Sequence, residues 1–224
     1  MTRAVIFDLD GTLVSFHFDV QGSRRALLEE LSRRGFGLSV SNLSLPTQEI
    51  LDAAKRQVDS GVVRADFGEV RRVLYGILDE FELNGSQKSE PFSDTKETLG
   101  ELKRSGTRLA VVTNSGRTAT IALLRRTQLL DFFEFVLTRD DVDRIKPDPD
   151  GLLNAISRLE LPPAEVLFVG DSVLDILAAK RAGLRVVSVA TGNYTADRLR
   201  AEGADAVLSQ ISDLTRMLGR GSQV

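Results

Sequence analysis

The stretch VIFDLDGTLV, residues 5–14, ends an apolar run with two aspartates that lie two positions apart. On an extended strand, residues i and i+2 point the same way and are about 6–7 Å apart. The carboxylates of Asp8 and Asp10 would then face one point beyond the strand, where they could hold a cation or exchange protons with a substrate. The structural alternative is a turn at Asp10-Gly11, with VIFDL and TLV as the two arms of a hairpin.

Further polar side chains follow two later apolar runs, and one lysine lies in a loop between those runs. In a parallel α/β sheet the carboxyl ends of the strands form one rim, and ligands bind there. We therefore expect these side chains to meet near Asp8 and Asp10. They are Thr113, Asn114 and Ser115 after LAVV, Lys146 in RIKPDPD, and Asp171, Ser172 and Asp175 after VLFVG.

Several carboxylates at one rim repel each other. Two like charges about 6 Å apart cost roughly 2–3 kcal/mol at an effective dielectric constant near 20, so the cluster needs raised pKa values or a cation. The chain has one histidine and no cysteine, which excludes a cluster of soft-metal ligands. Carboxylate and carbonyl oxygens suit Mg²⁺, and lysine and threonine complement phosphate oxygens. The set indicates phosphoryl transfer. Asp171 alone could instead cap the helix that begins near Val173.

Strands and helices alternate through most of the chain, and the strands are apolar without a break. This pattern predicts an α/β fold, a Rossmann-like parallel sheet covered on both faces. The predicted strands are Ala4–Leu9, Arg108–Thr113, Phe133–Leu137, Val166–Gly170, Arg185–Ala190 and Ala206–Leu208. The predicted helices between them are Lys96–Ser105, Thr118–Gln128, Leu152–Leu159, Val173–Ala182 and Ala196–Glu202.

Residues 15–90 interrupt this alternation with three amphipathic helical patterns and no strand. The most regular stripe runs from Val70 to Phe81. We predict a core of residues 1–14 and 87–224 and an inserted helical cap domain of residues 15–86. The linkers are expected near Val14–Phe18 and Asn84–Pro91, and the terminal GRGSQV is expected to be frayed.

Composition narrows the possible partners. The 224 residues carry a formal net charge of −3 without a basic block, which argues against nucleic acid and anionic membrane as partners. No run approaches the ~18 apolar residues of a membrane span. We expect a cytoplasmic protein, a monomer or homodimer, with a small-molecule phosphate ester as its partner.

DLDGT, VVTNS, KPDPD and GDSVLDI, in this order and spacing, resemble the four motifs of the haloacid dehalogenase (HAD) superfamily. The resemblance is closest to its phosphoglycolate-phosphatase-like branch, which also inserts a helical cap after the first strand. Two segments depart from that branch: PFSD replaces its usual proline-glycine turn, and VATGNY follows the fifth strand. Both departures bear on phosphoglycolate as the substrate.

The resemblance implies a role for each matching residue. Asp8 would be the nucleophile that forms an aspartyl-phosphate, and Asp10 would be the general acid and base. Asp8, the carbonyl of Asp10, Asp171 and Asp175 would form the Mg²⁺ site, with Asp175 acting directly or through water. Gly11, Thr113, Asn114 and Lys146 would bind the phosphoryl group, with Thr113 and Lys146 counted as catalytic.

Other activities use only parts of this set. A dehalogenase of the superfamily lacks an acid or base at the position of Asp10, and a phosphonate hydrolase needs a Schiff-base lysine, for which residues 15–90 offer Lys55 and Lys88. A sugar-phosphate mutase uses the same core and stays open. In a different class, a phospho-aspartate receiver domain also combines acidic residues, threonine and lysine, but its accepting aspartate follows a later strand.

Overall fold

The computed structural model describes residues 1–220, and the structural statements below refer to these residues. One six-stranded sheet contains every named strand, and all of its pairings are parallel, which confirms the predicted α/β class. The spatial order is β3-β2-β1-β4-β5-β6. The strands are β1 (Ala4–Phe7), β2 (Arg108–Val112), β3 (Phe135–Leu137), β4 (Val166–Gly170), β5 (Arg185–Val189) and β6 (Ala206–Leu208).

Helices follow the strands much as the periodicity predicts, with ends shifted by up to two residues. The helices of the sheet unit are α4 (Thr95–Arg104), α5 (Arg117–Arg126), α6 (Asp150–Leu159), α7 (Val173–Arg181), α8 (Ala196–Glu202) and α9 (Asp213–Arg220). Helix α9 was not predicted from the sequence, and it packs Leu214 into the core. Gly219 and Arg220 of the GRGSQV segment complete this helix, and the rest of that segment lies outside the described residues.

Both faces of the sheet are buried because alternate residues of each strand enter two different apolar clusters. Along β1, Ile6 packs on one face and Val5 and Phe7 on the other. The first cluster includes residues of α6 and α7, and the second includes residues of α4, α5 and α9. This arrangement explains why the strands are apolar without a break.

The described residues fall into two compact units, one of Met1–Phe16 with the chain from Ser89 onward and one of His17–Lys88. The second unit contains α1 (Val20–Arg33), α2 (Thr47–Asp59) and α3 (Phe67–Ser86), whose apolar faces form one cluster. The linker expected from Asn84 begins later, since α3 continues to Ser86. None of the described helices combines the length and the hydropathy that a membrane crossing requires.

The sheet order reverses at β1, because β2 lies on one side of it and β4 on the other. In open α/β sheets such a switch point opens a crevice at the carboxyl ends of the strands. The hairpin interpretation of residues 5–14 is wrong, since β1 pairs with β2 and β4 and not with residues 12–14. A tight reversal follows the strand instead, closed by a 2.8 Å hydrogen bond from the amide of Gly11 to the carbonyl of Val14.

Candidate active site

Asp8, Asp171 and Asp175 meet where β1 and β4 end. Each offers a carboxylate oxygen, and these three oxygens all lie within 4.8 Å of one another. The amide of Asp8 extends the sheet pairing by donating to the carbonyl of Val169 at 2.8 Å. The neighbouring strands therefore bring together carboxylates that are more than 160 residues apart in the sequence.

Lys146 bridges two of these carboxylates. Its Nζ donates to Oδ1 of Asp8 and to Oδ1 of Asp175, both at 2.6 Å, and the lysine side chain is only 5% exposed. The ring of Phe168 lies beneath the ammonium, 5.5 Å from Nζ to the ring centroid. A lysine ammonium has three donors, so one N–H remains for a further acceptor such as a phosphoryl oxygen.

The carboxylate of Asp175 is engaged on both sides. Its Oδ2 accepts hydrogen bonds from the amide of Ser172 at 3.0 Å and from the Ser172 hydroxyl at 2.6 Å. Ser172 in turn caps α7 by accepting from the amide of Asp175 at 3.2 Å. The suggestion that Asp171 caps this helix is therefore wrong: Ser172 is the N-cap, and Asp171 is left to face the site.

Asp171 is enclosed by backbone on two sides. A Cβ added at Gly11 would lie 2.5 Å from its Oδ2, and one added at Gly192 would lie 1.7 Å from the same oxygen. Thr12 donates to its Oδ1 at 3.3 Å, and Thr191 ties the two loops together by donating to the carbonyl of Gly11 at 2.6 Å. Gly11 also has a φ of +86°, which favours glycine. Glycine at both positions thus leaves room for the Asp171 carboxylate.

Side chains in the segment after β2 form hydrogen bonds with both Lys146 and Asp10. The Asn114 side chain donates to the carbonyl of Lys146 at 3.0 Å and accepts from its amide at 2.9 Å. The Ser115 hydroxyl donates to Oδ2 of Asp10 at 2.8 Å. Thr113 is buried, and its hydroxyl accepts from the amide of Ser115 at 3.1 Å, which leaves the hydroxyl proton free to be donated.

The predicted site residues are thus brought together at one rim, and Ser115 and Ser172, which the sequence also places there, contact them. Thr12 lies inside the DLDGT motif, and the spacing of Ser172 and Asp175 is a helix-capping pattern. Thr191 and Gly192 had no comparable signal. Their contacts depend on β5 lying next to β4, which spacing along the chain does not reveal.

Burial and like charge raise the pKa of two carboxyl groups. Desolvation raises the pKa of Asp8 to about 7, with a further increase from Asp175 that Lys146 partly opposes. Desolvation, together with the charges of Asp175 and Asp8, raises the pKa of Asp171 to about 9. Desolvation also raises the pKa of the half-buried Asp10, against the hydrogen bond from Ser115. For Lys146, burial lowers the pKa, but Asp175 and Asp8 outweigh it and the net shift is upward.

The raised pKa values mean that the protein alone stabilises the charged forms of these carboxylates poorly. A divalent cation among Asp8, Asp171 and Asp175 would stabilise those charged forms, and an all-oxygen ligand set suits a hard ion such as Mg²⁺. The residues therefore fit a divalent metal. Asp8 and Asp171 have oxygens free to ligate it, whereas Asp175 fits the supporting role because both its oxygens are already hydrogen-bonded.

A parallel sheet with a carboxylate cluster and a buried lysine at its switch point is an arrangement that can bind a divalent cation and a phosphoryl group. The family model described as Haloacid dehalogenase-like hydrolase matches residues 5–189, and the chain belongs to this family. This membership excludes the receiver-domain alternative.

The chain is similar over its whole length to enzymes that act on different phosphates. Phosphoglycolate phosphatase of Nitrosospira multiformis is 30% identical over 229 residues, which cover 98% of this chain and 97% of that protein. Pyrophosphatase PpaX of Bacillus mycoides is 28% identical over 218 residues, 97% of each chain. The crystal structure of a predicted phosphoglycolate phosphatase from Haemophilus somnus superposes with a TM-score of 0.66 at 26% identity and covers 97% of this chain and 98% of that one. The family and these relatives indicate that the chain is a phosphatase.

Proposed function

We propose that this enzyme is a Mg²⁺-dependent phosphatase that hydrolyses a small phosphomonoester through an aspartyl-phosphate on Asp8. The observation that carries the proposal is the cluster of Asp8, Asp171 and Asp175 oxygens, within 4.8 Å of one another, with Lys146 bonded to the first. Bound Mg²⁺ would supply charge neutralisation, so that Asp8 is ionised and the anionic phosphate is tolerated beside it.

In the first step an oxygen of the Asp8 carboxylate attacks phosphorus, and the bond from phosphorus to the ester oxygen breaks. Asp10 gives its proton to the departing alkoxide. Three groups would donate to the phosphoryl oxygens, where negative charge has to be stabilised. They are the remaining N–H of Lys146, the hydroxyl of Thr113 and the backbone amide of Asn114. Gly11 would allow the tight chain reversal beside the phosphoryl group.

In the second step water attacks the phosphorus of the aspartyl-phosphate. Asp10 is now ionised and removes a proton from that water, and the carboxylate of Asp8 departs from phosphorus. The products are inorganic phosphate, free Asp8 and a protonated Asp10, so the enzyme returns to its starting state. The inserted helical domain, residues 15–86 in the sequence-based division, is proposed to act as the cap that excludes water during turnover.

Asp8→Asn tests the nucleophile. We expect it to abolish phosphate release from p-nitrophenyl phosphate in excess Mg²⁺, because a carboxamide cannot form the intermediate. Asp197→Asn is the matched control, since the side chain of Asp197 is 96% exposed, and it should retain full activity. Near wild-type turnover by Asp8→Asn would refute the assignment.

A panel of phosphorylated metabolites, scored for free phosphate, tests the substrate class. We propose phosphoglycolate as the first candidate and include inorganic pyrophosphate, because relatives are named for each of these two activities. Release of phosphate from an alkyl ester supports the proposal. Exclusive cleavage of pyrophosphate would mean that the substrate is a phosphoric anhydride and not a monoester. Isomerised sugar phosphate with little free phosphate would indicate a mutase.

The panel also addresses phosphonate hydrolysis. Of the two lysines available for a Schiff base, Lys55 is half exposed and bonded to Asp59 at 2.6 Å, and Lys88 is exposed. Neither lies in the apolar, desolvated surroundings that an imine-forming lysine needs. We therefore expect a phosphonate in the panel to be left intact.

A further inference from the structure

Ser115 takes no part in the two proposed steps, yet its hydroxyl is bonded to the general acid, Asp10. The Ser115 hydroxyl donates to Oδ2 of Asp10 at 2.8 Å, across 105 positions of sequence and from one strand end to the next. In the described part of the chain, it is the only hydrogen bond to this carboxyl group. It therefore determines how the Asp10 carboxyl is oriented.

Ser115 is itself held on both sides of its backbone. Its amide donates to the hydroxyl of Thr113 at 3.1 Å, and its carbonyl accepts from the amide of Arg139 at 3.1 Å. The hydroxyl that reaches Asp10 thus belongs to a residue whose position is fixed by β2 and by the segment that follows β3. A fixed donor is what an orienting role requires.

A carboxyl group that must give and then take a proton needs a defined orientation. The terminal torsion of an aspartate side chain is broad, so the two oxygens are not distinguished by rotamer preference alone. A bond to Oδ2 removes that freedom and leaves Oδ1 as the oxygen available for proton exchange. Misplacing a reacting group by about 1 Å can lower a rate by two orders of magnitude.

We propose that Ser115 is a positioning residue that anchors Oδ2 of Asp10 and so presents Oδ1 to the ester oxygen of the substrate. The proposal rests on the proposed function, in which Asp10 is the general acid. Ser115 touches neither the phosphorus nor the leaving group in this account, and it acts only through Asp10.

The dependence of kcat/KM on the leaving group tests this role. Phenyl phosphate and p-nitrophenyl phosphate have nearly the same shape, but phenolate is much the more basic leaving group and benefits more from a proton. We expect Ser115→Ala to lower kcat/KM for phenyl phosphate about tenfold and for p-nitrophenyl phosphate at most about twofold. The ratio kcat/KM is chosen because it reports formation of the aspartyl-phosphate and not its hydrolysis.

Two further variants separate positioning from a structural effect. Ser115→Thr keeps the hydroxyl and should restore most of the activity on phenyl phosphate. Asp10→Asn removes the acid altogether, so adding Ser115→Ala to it should cause no further loss on either ester. An equal fall on both esters, or a full extra loss in the double variant, would overturn the proposal.

Failure of the proposed function would give a different result. If Asp8 were not the nucleophile, no aspartyl-phosphate would be trapped at position 8 during turnover, whatever the Ser115 variants do. If only the role of Ser115 is wrong, Asp8→Asn is inactive while Ser115→Ala keeps the wild-type ratio between the two esters. Circular dichroism and thermal unfolding of each variant establish that it is folded.

Discussion

The helical unit of residues 17–88 and the rim of the sheet differ in how deeply their paired charges are buried. In the helical unit, the ion pair of Lys55 and Asp59 lies on an exposed helix face, while the apolar faces form the core. At the rim, Lys146, Asp8 and Asp175 are almost completely buried. Exposed pairs contribute little to stability, whereas buried charges must be desolvated at a cost of several kcal/mol.

The difference indicates that the charges at the rim serve the reaction at a cost in folding stability. A solvated pair can be lost without consequence, and its presence says little about function. A buried cluster with three carboxylates and one ammonium would be replaced by apolar side chains if stability alone mattered. Its retention at the switch point of the sheet is explained by the phosphate and the cation that it is proposed to bind.

Removing one lysine from each region gives the largest expected contrast. Lys146→Ala should lower kcat by about 10³-fold, because a donor to the phosphoryl group is lost. It should also lower the free energy of unfolding by about 3 kcal/mol, since Asp8 and Asp175 lose their buried counter-charge. Lys55→Ala should change the free energy of unfolding by about 0.5 kcal/mol or less and leave kcat intact.

Steady-state kinetics and urea unfolding of both lysine variants measure this contrast. Similar losses of stability in the two variants would mean that burial of the charges does not distinguish the two regions.

Adding one methyl group to a glycine in each region sharpens the comparison. Gly192→Ala would force the Asp171 carboxylate to move, because the new Cβ falls 1.7 Å from its Oδ2. We expect the affinity for Mg²⁺ to fall about tenfold, in line with the effect of disturbing a residue that supports a ligand. Isothermal titration calorimetry measures this without substrate.

The matched control is Gly76→Ala in α3, where an added Cβ meets nothing within 4 Å. This exposed helix position should gain up to about 1 kcal/mol in the free energy of unfolding, since alanine has the higher helix propensity. Its Mg²⁺ affinity should be unchanged. Unaltered Mg²⁺ binding by Gly192→Ala would show that the segment after β5 does not position the Asp171 carboxylate for the metal.

The pH dependence of stability gives the smallest expected effect. In the metal-free protein Asp8 and Asp171 have pKa values of about 7 and about 9, well above those of an unfolded chain. Between pH 5 and pH 8 the folded state therefore binds more protons than the unfolded state, so stability falls as pH rises. We expect a loss of at least about 1 kcal/mol over this range in EDTA.

Mg²⁺ should oppose this trend, because it takes the place of the protons on the carboxylates. Thermal unfolding at pH 5 and pH 8, with and without the ion, should show stabilisation by Mg²⁺ that is larger at pH 8. Stabilisation that is equal at the two pH values would contradict the assignment of the raised pKa values to the metal-binding carboxylates.

The sequence predicted the sheet and its rim because each strand is a short apolar run that ends in a polar residue. Val166–Gly170 and Ala206–Leu208 have the predicted bounds, and β1 ends two residues early, where Asp8 turns toward the site. The three helices of residues 17–88 were also predicted from their apolar stripes. Helix α9 was missed, although Leu214, Met217 and Leu218 have helical spacing.

The supporting contacts were harder to predict than the acidic residues they support. Local spacing identifies Asp171 after a strand, but the approach of Gly192 to it depends on the pairing of β4 with β5. The bond from Ser115 to Asp10 likewise requires β1 and β2 to be neighbours. Such contacts are set by the order of strands in space, which a single sequence does not specify.

Reductive trapping of the reacting enzyme tests the central claim most directly. Borohydride converts an aspartyl-phosphate to homoserine, so acid-quenched enzyme that has been mixed with p-nitrophenyl phosphate and Mg²⁺ is reduced, digested and sequenced by mass spectrometry. The account predicts homoserine at position 8 only in the presence of substrate. Phosphate release without any modification at position 8, or the modification at another aspartate, would contradict it.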